Sequence, residues 1–383
     1  MKGGRGWRLL AGFCVALALL TLVLRGVDRA TLAHAFSHAR RDLLLLSLAT
    51  TLVLYVVRSW RWGFLLAPLG RVRFSRLFQA TVLGFMSGLV IPRAGEVLRP
   101  YLVGRAENLR LTAVFASIVL ERLLDLVSVL GLFALYVWVL PVPAAQTRGP
   151  LLETVKVAGG LTGLAVLALL GLLLALHVNA ERALGMLGWV LGWLPTRRAD
   201  WLDARLREFV AGLAVLQAPL GHLAAILAQS VLLWVVIAAG VYFNNRAFGI
   251  ELPFHSTFLM LLFLVVGVAV PTPGMVGGFH AAYVVVMTQA FGVDRATATA
   301  AGIMNHALTQ GPVLLMGLAI LMTGGGQGLT LSKVADMAEH HDGEAEPPPE
   351  APPEPRTPSG EDHESNPERS DDARRVTAAG RTR

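Results

Sequence analysis

The chain has 383 residues, of which 54% are hydrophobic and 15% charged, and its formal net charge is +7. This composition excludes an ordinary soluble domain and indicates an integral membrane protein that crosses the bilayer several times. The basic residues are mostly arginines in short segments between apolar runs, which favours membrane orientation and lipid contact over nucleic-acid binding. A single cysteine, Cys14, rules out a disulfide framework or a cysteine-based metal site, and we predict no metal and no cofactor.

Six apolar segments are long enough to cross a bilayer, since a spanning helix needs about 20 residues. We predict these spans at 8–25, 43–66, 111–140, 155–177, 220–243 and 297–322. The first segment is similar to a signal peptide, but no small-x-small cleavage site precedes Arg25, and we interpret it as an uncleaved span. Two shorter apolar runs lie at about 77–91 and 257–270.

Each shorter run ends at the same kind of phrase. Gly88-Leu-Val-Ile-Pro-Arg-Ala-Gly95 and Gly267-Val-Ala-Val-Pro-Thr-Pro-Gly274 lie 179 positions apart. Glycine and proline together break a helix, and paired breaks in corresponding halves are typical of a transporter binding site. We therefore predict two re-entrant hairpins, each entering and leaving on one side, with two ordinary kinked spans as the alternative.

The 179-residue offset extends beyond the phrases, because it also maps 43–66 onto 222–245 and 111–140 onto 290–319. The predicted fold class is an all-α polytopic membrane protein with about six spanning helices and two re-entrant hairpins. It contains an inverted structural repeat, with halves at about 43–140 and 222–319.

The arginine distribution predicts the orientation in the membrane. If the N-terminus is cytoplasmic, the basic segments at 58–76 and 178–219 also lie in the cytoplasm, as the positive-inside rule expects. Only the basic segment 25–42, which then lies outside, is an exception to this rule. The link 178–219 is amphipathic and is predicted to lie on the cytoplasmic leaflet. We predict a transmembrane domain over 1–325 and a disordered, proline- and glutamate-rich tail over 326–383. The expected location is the cell (inner or plasma) membrane, with both termini cytoplasmic.

Charged residues follow the first phrase directly. Arg93, Glu96 and Arg99 lie at the apex and on the return limb of the predicted hairpin, where ionisable side chains need protein or water around them. Arginine favours planar partners such as phosphate or carboxylate, so this group predicts an anion site. The alternative is that the arginines extend to the cytoplasmic interface.

A second charged group lies on the third span. Glu121 and Asp125 are four residues apart and share one helix face, with Arg122 beside them. Buried ions pair, so an internal salt-bridge set that holds this span to the first hairpin is at least as good an interpretation as a ligand site. The end of the second span carries a pattern typical of interfacial anchors, namely Arg58, Trp60, Arg61 and Trp62.

The second phrase lacks charge but leaves the backbone open. Pro271, Gly274 and Gly277 precede a half-helix whose exposed amides would favour an anion. His280 follows them, as a further ligand or as a structural residue.

Three motifs together resemble the flippase-like integral membrane family named after the transmembrane region of lysylphosphatidylglycerol synthase. They are the run from Ser87 to Arg99, the Glu-Arg-x-x-Asp motif from Glu121 to Asp125, and the Pro-x-Pro-Gly-x-x-Gly motif from Pro271 to Gly277. The resemblance covers about residues 8–325 and implies lipid translocation or lipid-linked envelope biosynthesis. In the full synthases an aminoacyl-transfer domain follows, whereas the tail here is short, so aminoacyl transfer is not expected.

The leading functional prediction is a lipid flippase-like transporter that moves an anionic phospholipid or lipid-linked glycan between leaflets. The alternative is a non-transporting accessory subunit of a glycosyltransferase or lipid-modifying envelope pathway. We expect no enzymatic activity. The expected partners are an anionic lipid or polyprenyl-phosphate-linked substrate and an envelope-biosynthesis enzyme. The predicted substrate-binding residues are Arg58, Arg93, Glu96, Arg99, Glu121, Arg122, Asp125, Pro271, Gly274, Gly277 and His280.

Overall fold

The structure is a computed structural model that describes residues 29–91, 93–139, 218–269 and 272–323, with isolated positions at 21 and between 157 and 178. All of them belong to one compact unit, Met1–Asp342. The predicted spans 8–25 and 155–177, the link 178–219 and the tail 326–383 fall outside the described residues apart from a few positions.

Every regular element in the described ranges is helical, as predicted. Numbered in chain order, the helices are α1 (Arg29–Ser37), α2 (Arg41–Leu66), α3 (Phe74–Val90), α4 (Ala94–Ala106), α5 (Leu111–Trp138), α6 (Leu220–Ala247), α7 (Ser256–Ala269), α8 (Gly278–Val285) and α9 (Arg295–Met322). A 3₁₀ turn at Pro273–Met275 precedes α8, and a π turn at Val286–Ala290 follows it.

Three of these helices, α2, α6 and α9, are long and apolar enough to cross a membrane. Helix α5 has 28 residues and also has sufficient length, but it carries Glu121, Arg122 and Asp125 near its middle. The chain is therefore a helical membrane protein, and helix α5 holds one of the two predicted charged groups.

Helices α2 and α6 pack against each other along much of their length. They approach closely at Gly240, where an added Cβ would lie 2.6 Å from the hydroxyl of Thr50. Ser47 donates a hydrogen bond of 2.9 Å to the carbonyl of Gly240. Small residues at such a crossing allow direct backbone contact between membrane helices.

Helices α3 and α4 form the first hairpin. The chain reverses within three residues, and Arg93 adopts a left-handed backbone conformation with φ of 66° at the turn. Gly95 packs directly on the backbone of Gly84, so the two limbs touch close to the apex. Arg76 and Glu107 form an ion pair of 3.2 Å at the other end, which brings the start of α3 and the end of α4 together.

Helices α7 and α8 form the second hairpin, which has a longer turn. Its eight residues contain two glycines with positive φ, Gly274 at 62° and Gly277 at 92°. Gly267 faces Gly278 in the same way that Gly84 faces Gly95 in the first hairpin, with an added Cβ on Gly267 only 2.5 Å from the Gly278 carbonyl oxygen. Both predicted breaks are therefore present, and Pro92 and Pro271 within them lie outside the described residues.

The two parts of the chain exchange contacts in a reciprocal manner. Helix α3 of the first hairpin packs on α9, where Met86 covers Gly317, and helix α7 of the second hairpin packs on α5. Each return limb also packs on the long helix that follows it, α4 on α5 and α8 on α9. This arrangement brings the apices of both hairpins next to the charged face of α5.

Candidate functional site

Glu121 is the centre of a buried ionic group. Its side chain has no solvent exposure and meets arginines from two other helices. Arg99 on α4 binds both carboxylate oxygens, at 3.0 and 3.2 Å. Arg61 and Arg58 on α2 approach the same carboxylate at 3.3 and 3.6 Å. One negative charge is thus shared by three arginines.

Asp125 lies one helical turn further along α5 and receives the second set of ion pairs. Arg61 binds it at 2.7 Å and also donates a hydrogen bond of 2.9 Å to Ser230 on α6. Arg122 and Arg58 approach the same carboxylate at 3.4 and 4.0 Å. The prediction that Glu121 and Asp125 share a face is confirmed, because both bind Arg61.

Aromatic rings cover the buried guanidinium groups. Arg99 stacks over Trp62 at 4.4 Å from the ring centroid, and Arg58 stacks over Phe85 at 4.6 Å. Such contacts stabilise a cation where water is absent. Arg99 Nε is nevertheless buried without a hydrogen-bond partner among the described residues. The alternative that Arg99 extends to the interface is therefore wrong, since its side chain is buried.

A cavity of about 300 Å³ lies between the two hairpin apices. The first hairpin and α5 contribute Gly84, Phe85, Gly88, Arg93, Gly95, Glu96, Arg99 and Arg122. The second hairpin contributes Val265, Val268, Ala269, Thr272 and Met275. One wall is therefore basic and the other is largely apolar. The volume is at the lower end of the range for small-molecule sites, about 300–1,000 Å³.

The cavity is suited to an anion. Arg122 pairs only loosely with Glu96, at 3.8 Å, and both side chains are partly exposed at the cavity. Arg93 is exposed and has no ion pair within the described ranges. The first turn of α4 lines the cavity, and the amides at a helix N-terminus favour negative charge.

We refer to the ionisable residues of the buried group and the cavity as the charge cluster. Its members are Arg58, Arg61, Arg93, Arg99, Arg122, Glu96, Glu121 and Asp125.

The structure divides the predicted site residues into three sets. Arg93, Glu96, Arg99 and Arg122 line the cavity. Glu121, Asp125 and Arg58 lie buried behind the cavity, and Arg58 forms salt bridges with both carboxylates. This agrees with the interpretation of Glu121 and Asp125 as part of an internal salt-bridge set. The third set belongs to the second hairpin.

In the second hairpin, the carbonyl of Gly274 accepts a hydrogen bond of 2.8 Å from His306, and the rings of His306 and His280 are 4.8 Å apart. His280, Gly274 and Gly277 are not among the residues that line the cavity, whereas their neighbours Thr272 and Met275 are. Pro271 lies outside the described residues. These residues shape the second apex rather than the cavity wall itself.

The interpretation of Arg61 and Trp62 as interfacial anchors is wrong, because both side chains are fully buried. Trp60, 45% exposed, fits that interpretation. Consecutive residues on a helix point in different directions, so Trp60 can be exposed while its neighbours are buried. Arg58 and Arg61 are three residues apart, and this spacing in the sequence indicates that they share one helix face. Nothing in the sequence pattern pointed to Ser230, which binds Arg61 from a helix far along the chain.

Comparison with known proteins agrees with this helical, charged arrangement. The family model described as lysylphosphatidylglycerol synthase TM region matches residues 9–317. The chain belongs to this family. Its matched region includes both hairpins, α5 and the whole charge cluster, and the family resemblance drawn from the three motifs is confirmed.

Two curated proteins match most of this chain. Glycosyltransferase AglD of Haloferax volcanii is 25% identical over 335 residues, covering 81% of this chain and 53% of the relative. A UPF0104 membrane protein of Methanothermobacter thermautotrophicus is 22% identical over 332 residues, covering 80% of this chain and 92% of the relative. This chain thus spans about half the length of the first relative and nearly all of the second.

Proposed function

We propose that this protein moves an anionic lipid between the leaflets of the cell membrane, with the lipid phosphate in the cavity between the hairpins. The observation that carries the proposal is the composition of the cavity wall. Arg93, Arg99 and Arg122 line one side, and apolar residues of α7 line the other. An amphiphile with a charged head and an apolar chain matches such a wall, whereas a fully polar solute would not.

The membrane arrangement is part of the proposal. Helix α3, at 17 residues, is about 25 Å long and α7, at 14 residues, about 21 Å, while the hydrocarbon core is about 30 Å thick. Both hairpins are then re-entrant and, with about six spans, belong to the halves of an inverted repeat. The reciprocal packing of α3 on α9 and of α7 on α5 supports such a repeat. Both termini are cytoplasmic in this arrangement.

The hairpins would act as the moving parts of transport. They meet at the cavity and enter from opposite faces, so displacement of one apex opens the cavity to one leaflet. The positive φ values at Gly274 and Gly277 give the second apex a backbone that can rearrange. The proposal includes no covalent change of the lipid, and the arginines supply attraction to the phosphate alone.

Leaflet transfer in liposomes tests the proposal. The purified chain is reconstituted with fluorescent phosphatidic acid or phosphatidylglycerol, and transfer is followed by quenching from outside. Arg93→Gln removes a cavity charge at an exposed turn, and we expect transfer to fall about tenfold, the equivalent of one charge-assisted hydrogen bond. Arg110→Gln is the matched control, because Arg110 is exposed and does not line the cavity. Equal transfer by the wild type and Arg93→Gln would contradict the proposal.

A second candidate function is support of a glycosyltransferase as a non-transporting membrane subunit. The similarity of this chain to about half of a relative named as a glycosyltransferase favours it. Complementation of cells that lack the gene separates the two functions. The accessory function predicts that Arg93→Gln complements and that deletion of 326–383 does not. The transport function predicts the reverse.

A further inference from the structure

We infer that the cavity selects a phosphate monoester at the end of an apolar chain over a phosphodiester lipid headgroup. The inference rests on the proposed function, in that both place a lipid phosphate in this cavity. It goes further in naming the class of headgroup, which is a terminal phosphate with about two negative charges.

The charge balance is the first observation. The five arginines of the charge cluster face three carboxylates, which leaves an excess of two positive charges. Three of these arginines are buried and meet only two buried carboxylates. The buried excess is thus one positive charge, and the second lies at the cavity, where Arg93 and Arg122 face Glu96. Uncompensated charge at such a site is unfavourable, so a ligand that balances both positions carries two negative charges. A phosphate monoester carries about −1.5 to −2 charges at neutral pH, whereas a diester carries one.

The positions of the free donors are the second observation. Arg99 Nε is buried without a partner among the described residues, although Glu121 holds the other end of the guanidinium. Arg93 has no ion pair there, and Arg122 makes only long pairs, of 3.4 and 3.8 Å. Three arginines with free donors suit the three terminal oxygens of a monoester better than the two of a diester.

The rest of the wall argues against recognition of a polar alcohol or a sugar. Among the described lining residues, the side-chain oxygens are those of Glu96 and Thr272. Glycerol or sugar hydroxyls would find few acceptors there. The cavity volume of about 300 Å³ admits a phosphate with its first methylenes.

The apolar wall identifies the phosphate as that of a lipid. Val265, Val268 and Ala269 lie on α7, opposite the arginines. Free phosphate would leave these side chains against water, whereas the first carbons of an acyl or isoprenoid chain would cover them. We therefore commit to a lipid phosphate as the ligand and treat inorganic phosphate as an alternative source of the same chemistry.

Competitive lipid retention tests the inference. The full chain is placed in nanodiscs with equal amounts of phosphatidic acid and phosphatidylglycerol, then extracted into mild detergent, and the retained lipids are quantified by native mass spectrometry. We expect a preference for phosphatidic acid of about tenfold or more. Arg93→Gln should reduce this preference by at least about threefold, and Arg110→Gln should leave it unchanged. A variant that misfolds would lose both lipids together, so the ratio separates selectivity from folding.

A titration with inorganic phosphate distinguishes the two sources. Retention of phosphatidic acid in millimolar phosphate supports the inference with the lipid as ligand, and displacement of the lipid at that concentration overturns that assignment. Equal retention of the two lipids overturns the monoester selectivity. If equal retention accompanies Arg93-dependent leaflet transfer, the transport function stands and the inference alone fails. If phosphatidic acid is selected but transfer does not depend on Arg93, the transport function fails and the inference stands.

Discussion

Glu121→Gln is expected to destabilise the protein more than any exposed charge substitution. Glu121 is fully buried and binds Arg99 at 3.0 Å, Arg61 at 3.3 Å and Arg58 at 3.6 Å. Its neutralisation leaves three buried arginines with Asp125 as the one buried carboxylate of the described cluster. Removing one partner of a buried ion pair costs about 3–5 kcal/mol.

This free-energy change corresponds to a fall in the melting temperature of about 10 °C, using about 2–4 °C per kcal/mol for a large domain. Tryptophan fluorescence during heating of the detergent-purified protein measures it, because Trp62 stacks directly on Arg99. Glu251→Gln is the matched control. Glu251 is 82% exposed and lies 3.8 Å from Arg246, and exposed pairs contribute about 1 kcal/mol or less.

A double variant tests the reason for the effect. Arg99→Gln with Glu121→Gln removes the bidentate pair as a whole, so its loss should be smaller than the sum of the two single losses. A melting temperature for Glu121→Gln within about 1 °C of the wild type would show that these arginines do not depend on the carboxylate, and the reasoning would be refuted.

Three further predictions concern packing, capping and a buried polar network. Gly267→Ala places a methyl group 2.5 Å from the Gly278 carbonyl oxygen and should cost about 1–3 kcal/mol and impair leaflet transfer, whereas Gly131→Ala meets no atom within 4 Å and should be neutral in the same assays. Asp294→Ala removes the side chain that accepts from the first turn of α9, and the melting curve should show a loss of about 1 kcal/mol; an unchanged curve would contradict the capping role. Tyr283→Phe leaves the buried Asn–Tyr network of α6 and α8 incomplete, so we expect a loss of about 1–3 kcal/mol, and a stability equal to the wild type would refute it.

Local chemistry made the helix breaks and the α5 ion pairs predictable. Glycine with proline stops a helix wherever it occurs, and a spacing of four residues places Glu121 and Asp125 on one face regardless of the fold. Both features depend on neighbours in the sequence, and the structure contains them.

Features that depend on tertiary contact were less predictable. Arg61 and Trp62 match the pattern of a membrane-interface anchor, and only the packing of α4, α5 and α6 around them buries them. The repeat register is another example. The two phrases are 179 positions apart, but the glycine pairs at which the limbs touch, Gly84–Gly95 and Gly267–Gly278, are 183 positions apart. The two offsets differ by about one helical turn, and the longer turn of the second hairpin accounts for this difference.

The close pairing of α2 with α6 restricts which motions can accompany the proposed transport. A shift of one helix along the other would break the hydrogen bond from Ser47 to Gly240 and pull Ser230 away from Arg61, while the small residues at the crossing leave no layer of side chains to absorb the slip. The pair therefore serves as a fixed frame that joins the two parts of the chain. A transport cycle would move the hairpin apices relative to this frame, and its energetic barrier would lie in their contacts with α5 and α9.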